Sequence, residues 1–207
     1  MTTELNTFPV IPVVEIEDAD KAVPLAEALL EGGIGIIEVT LRTDAAVEAI
    51  RRISAECPDM LTGAGTVLST DDAQRVCEAG ASFGVSPGTN PAIVEYFESA
   101  RIPFIPGAIT PSEVEHAFSL GCRYLKFFPA GVAGGPAFLR ALSAPYRNLG
   151  ICFCATGGVT LDNMNEYLSV PLVNAVGGSW LATPRLIEQG DWSTITANAR
   201  QAMARIA

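Results

Sequence analysis

Only two of the 207 residues are lysines, Lys21 and Lys126, and their surroundings differ. Lys21 opens a helical pattern beside acidic residues and reads as a solvated surface group. Lys126 lies inside Tyr124-Leu125-Lys126-Phe127-Phe128, a strand-like run otherwise built of large apolar side chains. Burying an ammonium there is costly unless it is paired or gives up its proton. A neutral amine in a dry site is what attack on a carbonyl carbon requires. The competing reading is a structural lysine that snorkels out of a strand end. Glu38 stands in a second apolar run, Ile34-Gly35-Ile36-Ile37-Glu38-Val39-Thr40, where strict alternation puts Ile36, Glu38 and Thr40 on one face. Arg42 follows, a planar fork of five donors suited to a bidentate grip on a carboxylate. A buried Glu that meets a buried Lys is either a structural ion pair or an acid–base set.

Two glycine pairs carry a second kind of chemistry. One run ends in Ala155-Thr156-Gly157-Gly158 and a later one in Gly177-Gly178-Ser179. Backbone that approaches an anion closely cannot carry side chains in the way, and amide N–H groups then supply the positive potential. Metal chemistry finds no support: the single His116 sits in a helical pattern between Glu115 and Ala117 and reads as a surface residue. The five Cys (57, 77, 122, 152 and 154) are odd in number, and 152 and 154 have the wrong spacing for a zinc clip. All five read as buried free thiols of a reduced compartment.

These residues need elements to position them, and a weak internal repeat provides the pattern. Three times a helical segment closes on Gly, at Gly33, Gly80 and Gly121, and a β-rich run follows within a few residues. The template gives eight strands, at 8–14, 34–40, 61–67, 82–86, 103–106, 124–128, 151–155 and 172–176. Helical patterns fall between them, for example at 19–31, 44–56, 71–79 and 111–120. Strands alternating with helices at short spacing imply parallel pairing, and near-continuous apolar strands imply a sheet covered on both faces. Eight such units fit a compact (β/α)8 TIM barrel, with a doubly wound open sheet as the alternative. No linker or composition shift divides the chain, so 1–207 reads as a single domain. In a barrel of this kind catalytic groups come from the carboxyl ends of several strands, and phosphate is often held by the loops after strands seven and eight. Glu38, Arg42, Thr66 and Lys126 would converge at that end, which favours the catalytic reading over the structural pair.

Composition narrows the partners. Half the chain is apolar (49%) and 17% is charged, against roughly 25% in an ordinary soluble domain, which excludes a disordered chain. No apolar run approaches the ~18 residues of a spanning helix, and residues 1–10 show no export signal, so the expected location is cytoplasmic. A net charge of −10 disfavours nucleic acid and anionic membrane.

The runs Ile37-Glu38-Val39-Thr40-Leu41-Arg42-Thr43, Gly63-Ala64-Gly65-Thr66-Val67-Leu68, Ser86-Pro87-Gly88, Lys126-Phe127-Phe128-Pro129-Ala130 and Thr156-Gly157-Gly158 resemble the 2-keto-3-deoxy-6-phosphogluconate aldolases, a family that includes 4-hydroxy-2-oxoglutarate aldolases. The likeness covers nearly the whole chain, in order. It implies a homotrimeric (β/α)8 barrel and a Schiff-base (class I) aldolase with neither metal nor cofactor, acting in the Entner-Doudoroff pathway of carbohydrate metabolism on a small 2-keto acid phosphate. Lys126 would be the Schiff-base lysine and Glu38 the acid–base residue. Arg42 and Thr66 would hold the pyruvyl carboxylate, with Pro87 and Phe128 against the substrate. Thr156, Gly157, Gly158, Gly178 and Ser179 would bind the phosphate. Desolvation by Phe127 and Phe128, with the charge of Arg42, would favour the neutral amine. The chain departs from the family pattern at Ala155, where the motif commonly has proline, a change expected to loosen the phosphate loop. Three rivals remain: a sibling aldolase for 4-hydroxy-2-oxoglutarate or a galactonate-derived phosphate, a phosphate-binding barrel isomerase or synthase that forms no imine, and a non-catalytic anion-binding barrel.

Overall fold

The computed structural model describes residues 5–206. Eight parallel strands alternate with helices: β1 (Val10–Val14), β2 (Ile36–Thr40), β3 (Leu61–Gly65), β4 (Phe83–Val85), β5 (Phe104–Ile105), β6 (Tyr124–Phe127), β7 (Cys152–Thr156) and β8 (Val173–Gly178). They pair in the order β5-β4-β3-β2-β1-β8-β7-β6. The two ends of that order meet through the backbone of Lys126, whose N–H donates to the Pro106 carbonyl at 2.8 Å and whose carbonyl accepts from the Ala108 N–H at 2.9 Å. The sheet is therefore a closed (β/α)8 barrel rather than an open, doubly wound one, and the residue of chief chemical interest sits at its seam.

The observed strands are trimmed or extended for identifiable reasons. β1 begins at Val10, after Pro9, and β5 is confined between Pro103 and Pro106, which have no N–H for the ladder. β3 stops at Gly65 because Thr66 turns left-handed, with φ of 59°. β7 and β8 run further than expected, to Thr156 and Gly178, and carry the glycine turns with them. The helices that matter here are α1 (Ala22–Glu31), α2 (Ala46–Glu56), α3 (Thr70–Glu78), α4 (Pro91–Ala100), α5 (Pro111–Ser119), α6 (Gly135–Ser143), α7 (Met164–Leu168), α8 (Pro184–Gln189) and α9 (Trp192–Ala204). Gly33, Gly80 and Gly121 all adopt left-handed φ, of 89°, 91° and 87°, and so close α1, α3 and α5 as the repeat demanded.

The two faces of each strand serve different layers. Outward-facing Phe127 stacks on Phe138 of α6 at 6.0 Å between ring centroids, and Phe104 stacks on Phe97 of α4 at 4.8 Å. The inward face holds Phe83, over which Gly63 leaves room: a Cβ at Gly63 would fall 2.2 Å from that ring.

Candidate active site

Inside the barrel, Lys126 Nζ lies 3.0 Å from Glu38 Oε1. Their side chains are 8% and 2% exposed, so the pair is sealed from bulk water. Each is aimed inward by strand alternation, and each has an aligned neighbour: Glu38 registers with Val13 and Gly63, Lys126 with Cys154. Gly65 makes the space for Glu38, since a Cβ there would sit 2.3 Å from Oε1. The ring of Phe128 caps the amine, its centroid 5.4 Å from Nζ. Phe127 does not contribute to this wall. It points outward to α6, because adjacent strand residues face opposite layers, so desolvation falls to Phe128 alone of the two.

Cys154 shares the interior face with Lys126, and burial pushes its thiol up to about 12. The contact with Thr156 and the charge of Lys126 pull that value down, while the Glu38 carboxylate adds to the rise. Cys57 is also buried, whereas Cys77, Cys122 and Cys152 are only half-buried, which corrects the expectation of five buried thiols; all five are free. His116 is exposed on α5. Among the described residues no group of three or more His, Cys, Asp or Glu is placed to hold a metal ion.

Above the pair, at the carboxyl ends of the strands, opens a cavity of about 200 Å³. Seven of the residues singled out from sequence line it: Arg42, Phe128, Thr156, Gly157, Gly158, Gly178 and Ser179. Lys126 and Glu38 are not among the lining residues; the Phe128 ring, which is, lies over the Lys126 amine. Two candidates stand apart. Pro87 lines a separate depression after β3 and β4, and Thr66, just past the end of β3, is not among the residues that line the cavity. Arg42 is half exposed and its Nη1 donates to Glu15 Oε1 at 2.5 Å. Glu15, Val13, Val159 and Pro184 also line the cavity and were not read from the sequence. For Glu15 a signal existed: it follows β1 with the parity of Val13, which faces the interior.

The glycine loops are firmly built. Gly157 and Gly158 adopt φ of 92° and 80°, a region that L side chains rarely enter. The Ala130 and Gly131 N–H groups donate to the carbonyls of Thr156 and Gly157, both at 2.8 Å. Asn163 Nδ2 donates to the Gly158 carbonyl at 3.0 Å. Ala155 is fully buried on the face of β7 opposite Cys154 and Thr156, so its side chain is turned away from the cavity. The hydrogen bonds just named, rather than a proline, tether the turn. Gly178 leaves room for Trp180, whose ring would lie 1.7 Å from a Cβ there.

A closed (β/α)8 barrel with a buried lysine–carboxylate pair beneath a glycine-walled cavity defines a barrel equipped for carbonyl chemistry on an anionic small molecule. Comparison with known proteins narrows the class. The model of the KDPG and KHG aldolase family matches residues 1–198, and the chain belongs to that family. It is 47% identical over 199 residues to the 2-dehydro-3-deoxy-phosphogluconate aldolase of Treponema pallidum, covering 96% of this chain and 94% of that one. It is 42% identical to the KHG/KDPG aldolase of Escherichia coli, covering 96% and 92%. Among solved structures, the KDPG aldolase of Legionella pneumophila, with pyruvate captured as a covalent carbinolamine, superposes with a TM-score of 0.90 at 41% identity, covering 94% of each chain. These relatives are aldolases, a class of lyase. No helix among the described residues is long and apolar enough to cross a membrane.

Proposed function

We propose that the chain is a class I aldolase that cleaves 2-keto-3-deoxy-6-phosphogluconate to pyruvate and glyceraldehyde 3-phosphate through an imine on Lys126. The observation that carries this reading is the sealed 3.0 Å contact between Lys126 Nζ and Glu38 Oε1. A proton passed from Nζ to Oε1 leaves a neutral amine beside a carboxylic acid. The amine adds to the C2 carbonyl to form a carbinolamine, and Glu38 returns its proton to the departing hydroxyl, which leaves as water. The resulting iminium draws electrons from the C3–C4 bond. Glu38, now a carboxylate, takes the C4 hydroxyl proton directly or through a water as that bond breaks and the aldehyde departs. The same proton returned to C3 converts the enamine to the pyruvyl imine, and hydrolysis frees pyruvate.

In this reading Arg42, with Thr66 next to the Gly65 that flanks Glu38, grips the pyruvyl carboxylate. Thr156, Gly157, Gly158, Gly178 and Ser179 hold the phosphate on backbone amides. Residues 1–207 act as one catalytic unit, which the family match over 1–198 supports. We extend the reading to a cytoplasmic homotrimer of the Entner-Doudoroff pathway. Borohydride reduction in the presence of pyruvate, with peptide mass mapping, tests the central step. A reduced pyruvyl group on Lys126, with Lys21 untouched, is expected; no adduct, or one on Lys21, sinks the mechanism.

A further inference from the structure

Glu15 lines the cavity, yet none of the steps above needs it. It follows β1 with the inward parity of Val13, and its carboxylate accepts the Arg42 Nη1 hydrogen bond. Among the described residues, Glu15 and Arg42 are the only charged side chains on the cavity wall, so the wall is neutral before an anion arrives. Glu15 also borders a neighbouring depression lined by Glu17, Asp18, Lys21 and Glu188, whose charges sum to negative. The β1 side of the mouth is therefore the side least hospitable to an anion. With Glu15 36% and Arg42 50% exposed, the pair contributes little stability of its own and is free to rearrange around an incoming substrate.

We propose that Glu15 is a specificity-determining residue that sets how much negative charge the site accepts and disfavours the more highly charged of two 2-keto-4-hydroxy acid substrates. The inference rests on the aldolase reading of the site. 4-Hydroxy-2-oxoglutarate carries two carboxylates, whereas the phosphorylated acid carries one carboxylate and a phosphate of about −1.5 to −2 near neutral pH. The extra charge meets the Glu15 carboxylate across a half-exposed cavity. At separations of about 6–10 Å, with screening between that of water and a protein surface, this amounts to about two- to tenfold in relative affinity.

Glu15→Gln removes the charge and keeps an oxygen for Arg42, whereas Glu15→Asp keeps the charge. The measurement is kcat/KM for both substrates on wild type and both variants, at low salt and at about 0.5 M salt. The expected result is a shift of about two- to tenfold toward the phosphorylated acid in Glu15→Gln at low salt. That shift shrinks in high salt, and the ratio in Glu15→Asp stays near wild type. An unchanged ratio, a shift that survives salt, or one shared by Glu15→Asp overturns the inference and leaves Glu15 as a brace for Arg42. Should wild type turn over neither substrate, the aldolase reading fails by itself. The charge effect is then read by calorimetry with inorganic phosphate, where tighter binding by Glu15→Gln at low salt is expected and equal or undetectable affinities overturn it.

Discussion

Lys126 Nζ and Glu38 Oε1 are 3.0 Å apart although 88 residues separate them in the chain, and the barrel closes through the backbone of that same lysine. Strand register and chemistry are thus coupled at one residue. A slip of one position in β6 would turn Lys126 outward to the helices and Phe127 inward to Glu38.

Changing either partner of the pair separates chemistry from folding. Glu38→Gln is expected to keep pyruvate trapping on Lys126 measurable while slowing cleavage by roughly 10² to 10⁴, the usual worth of a general acid–base group. Lys126→Arg keeps a cation beside Glu38 but cannot supply a neutral amine, so turnover should vanish. Single-turnover assays with circular dichroism on each variant check both; full activity in Glu38→Gln would mean that another group moves the proton. Because the imine is the electron sink, chelators should leave wild-type activity unchanged, and inactivation restored by a divalent ion would contradict the mechanism.

Gly65→Ala tests whether the position of Glu38 matters as much as its identity. The new Cβ would sit 2.3 Å from Oε1, so the carboxylate must shift. A displacement on the order of 1 Å at a reacting group can cost about 10² in rate. The expectation is a comparable fall in kcat with the fold retained, and wild-type kcat would show that Glu38 needs no such precise seat.

The glycine loop is testable by crowding it. Gly158→Val places a branched side chain at φ of 80° and 3.2 Å from the Gly131 Cα, so the backbone must move. With two hydrogen bonds to phosphate lost, at roughly 1.5–3 kcal/mol each, kcat/KM for the phosphorylated acid should fall about a hundredfold or more. Activity on 4-hydroxy-2-oxoglutarate should change far less, and inorganic phosphate should compete weakly in wild type. Equal losses on both substrates would remove the phosphate from this loop.

Cys154 gives a pH signature. Its folded value of about 12 lies above the ordinary 9.0, so the unfolded chain loses this proton first as pH rises. The stability held by the neutral thiol is present in full below about pH 9 and falls as pH climbs toward 12, by at most about 1.4 kcal/mol per pH unit. Urea midpoints measured between pH 8 and about 10.5 should decline, and less steeply in Cys154→Ala. Parallel slopes in the two proteins would deny the thiol this role.

Several features of the fold and the site are legible in the order of the amino acids. Closing glycines at 33, 80 and 121 and apolar runs after them marked the repeat, because left-handed φ and β-branched strands are local requirements. Lys126 and Glu38 were legible because a charge inside an apolar strand is a conflict that only burial with a partner resolves. Alternation along β6 puts Phe127 on the face opposite Lys126, toward the helices, so of the two phenylalanines only Phe128, beyond the strand's end, covers the amine. Local signals could not show that β5 and β6 join through Lys126 or that Pro87 belongs to another depression. The parity of Glu15 with Val13 is local, but its partner is not. Glu15 is an ordinary acidic residue after a strand, and it becomes part of the site because the parallel pairing of β1 with β2 sets their carboxyl ends side by side and gives Arg42 a partner 27 residues away.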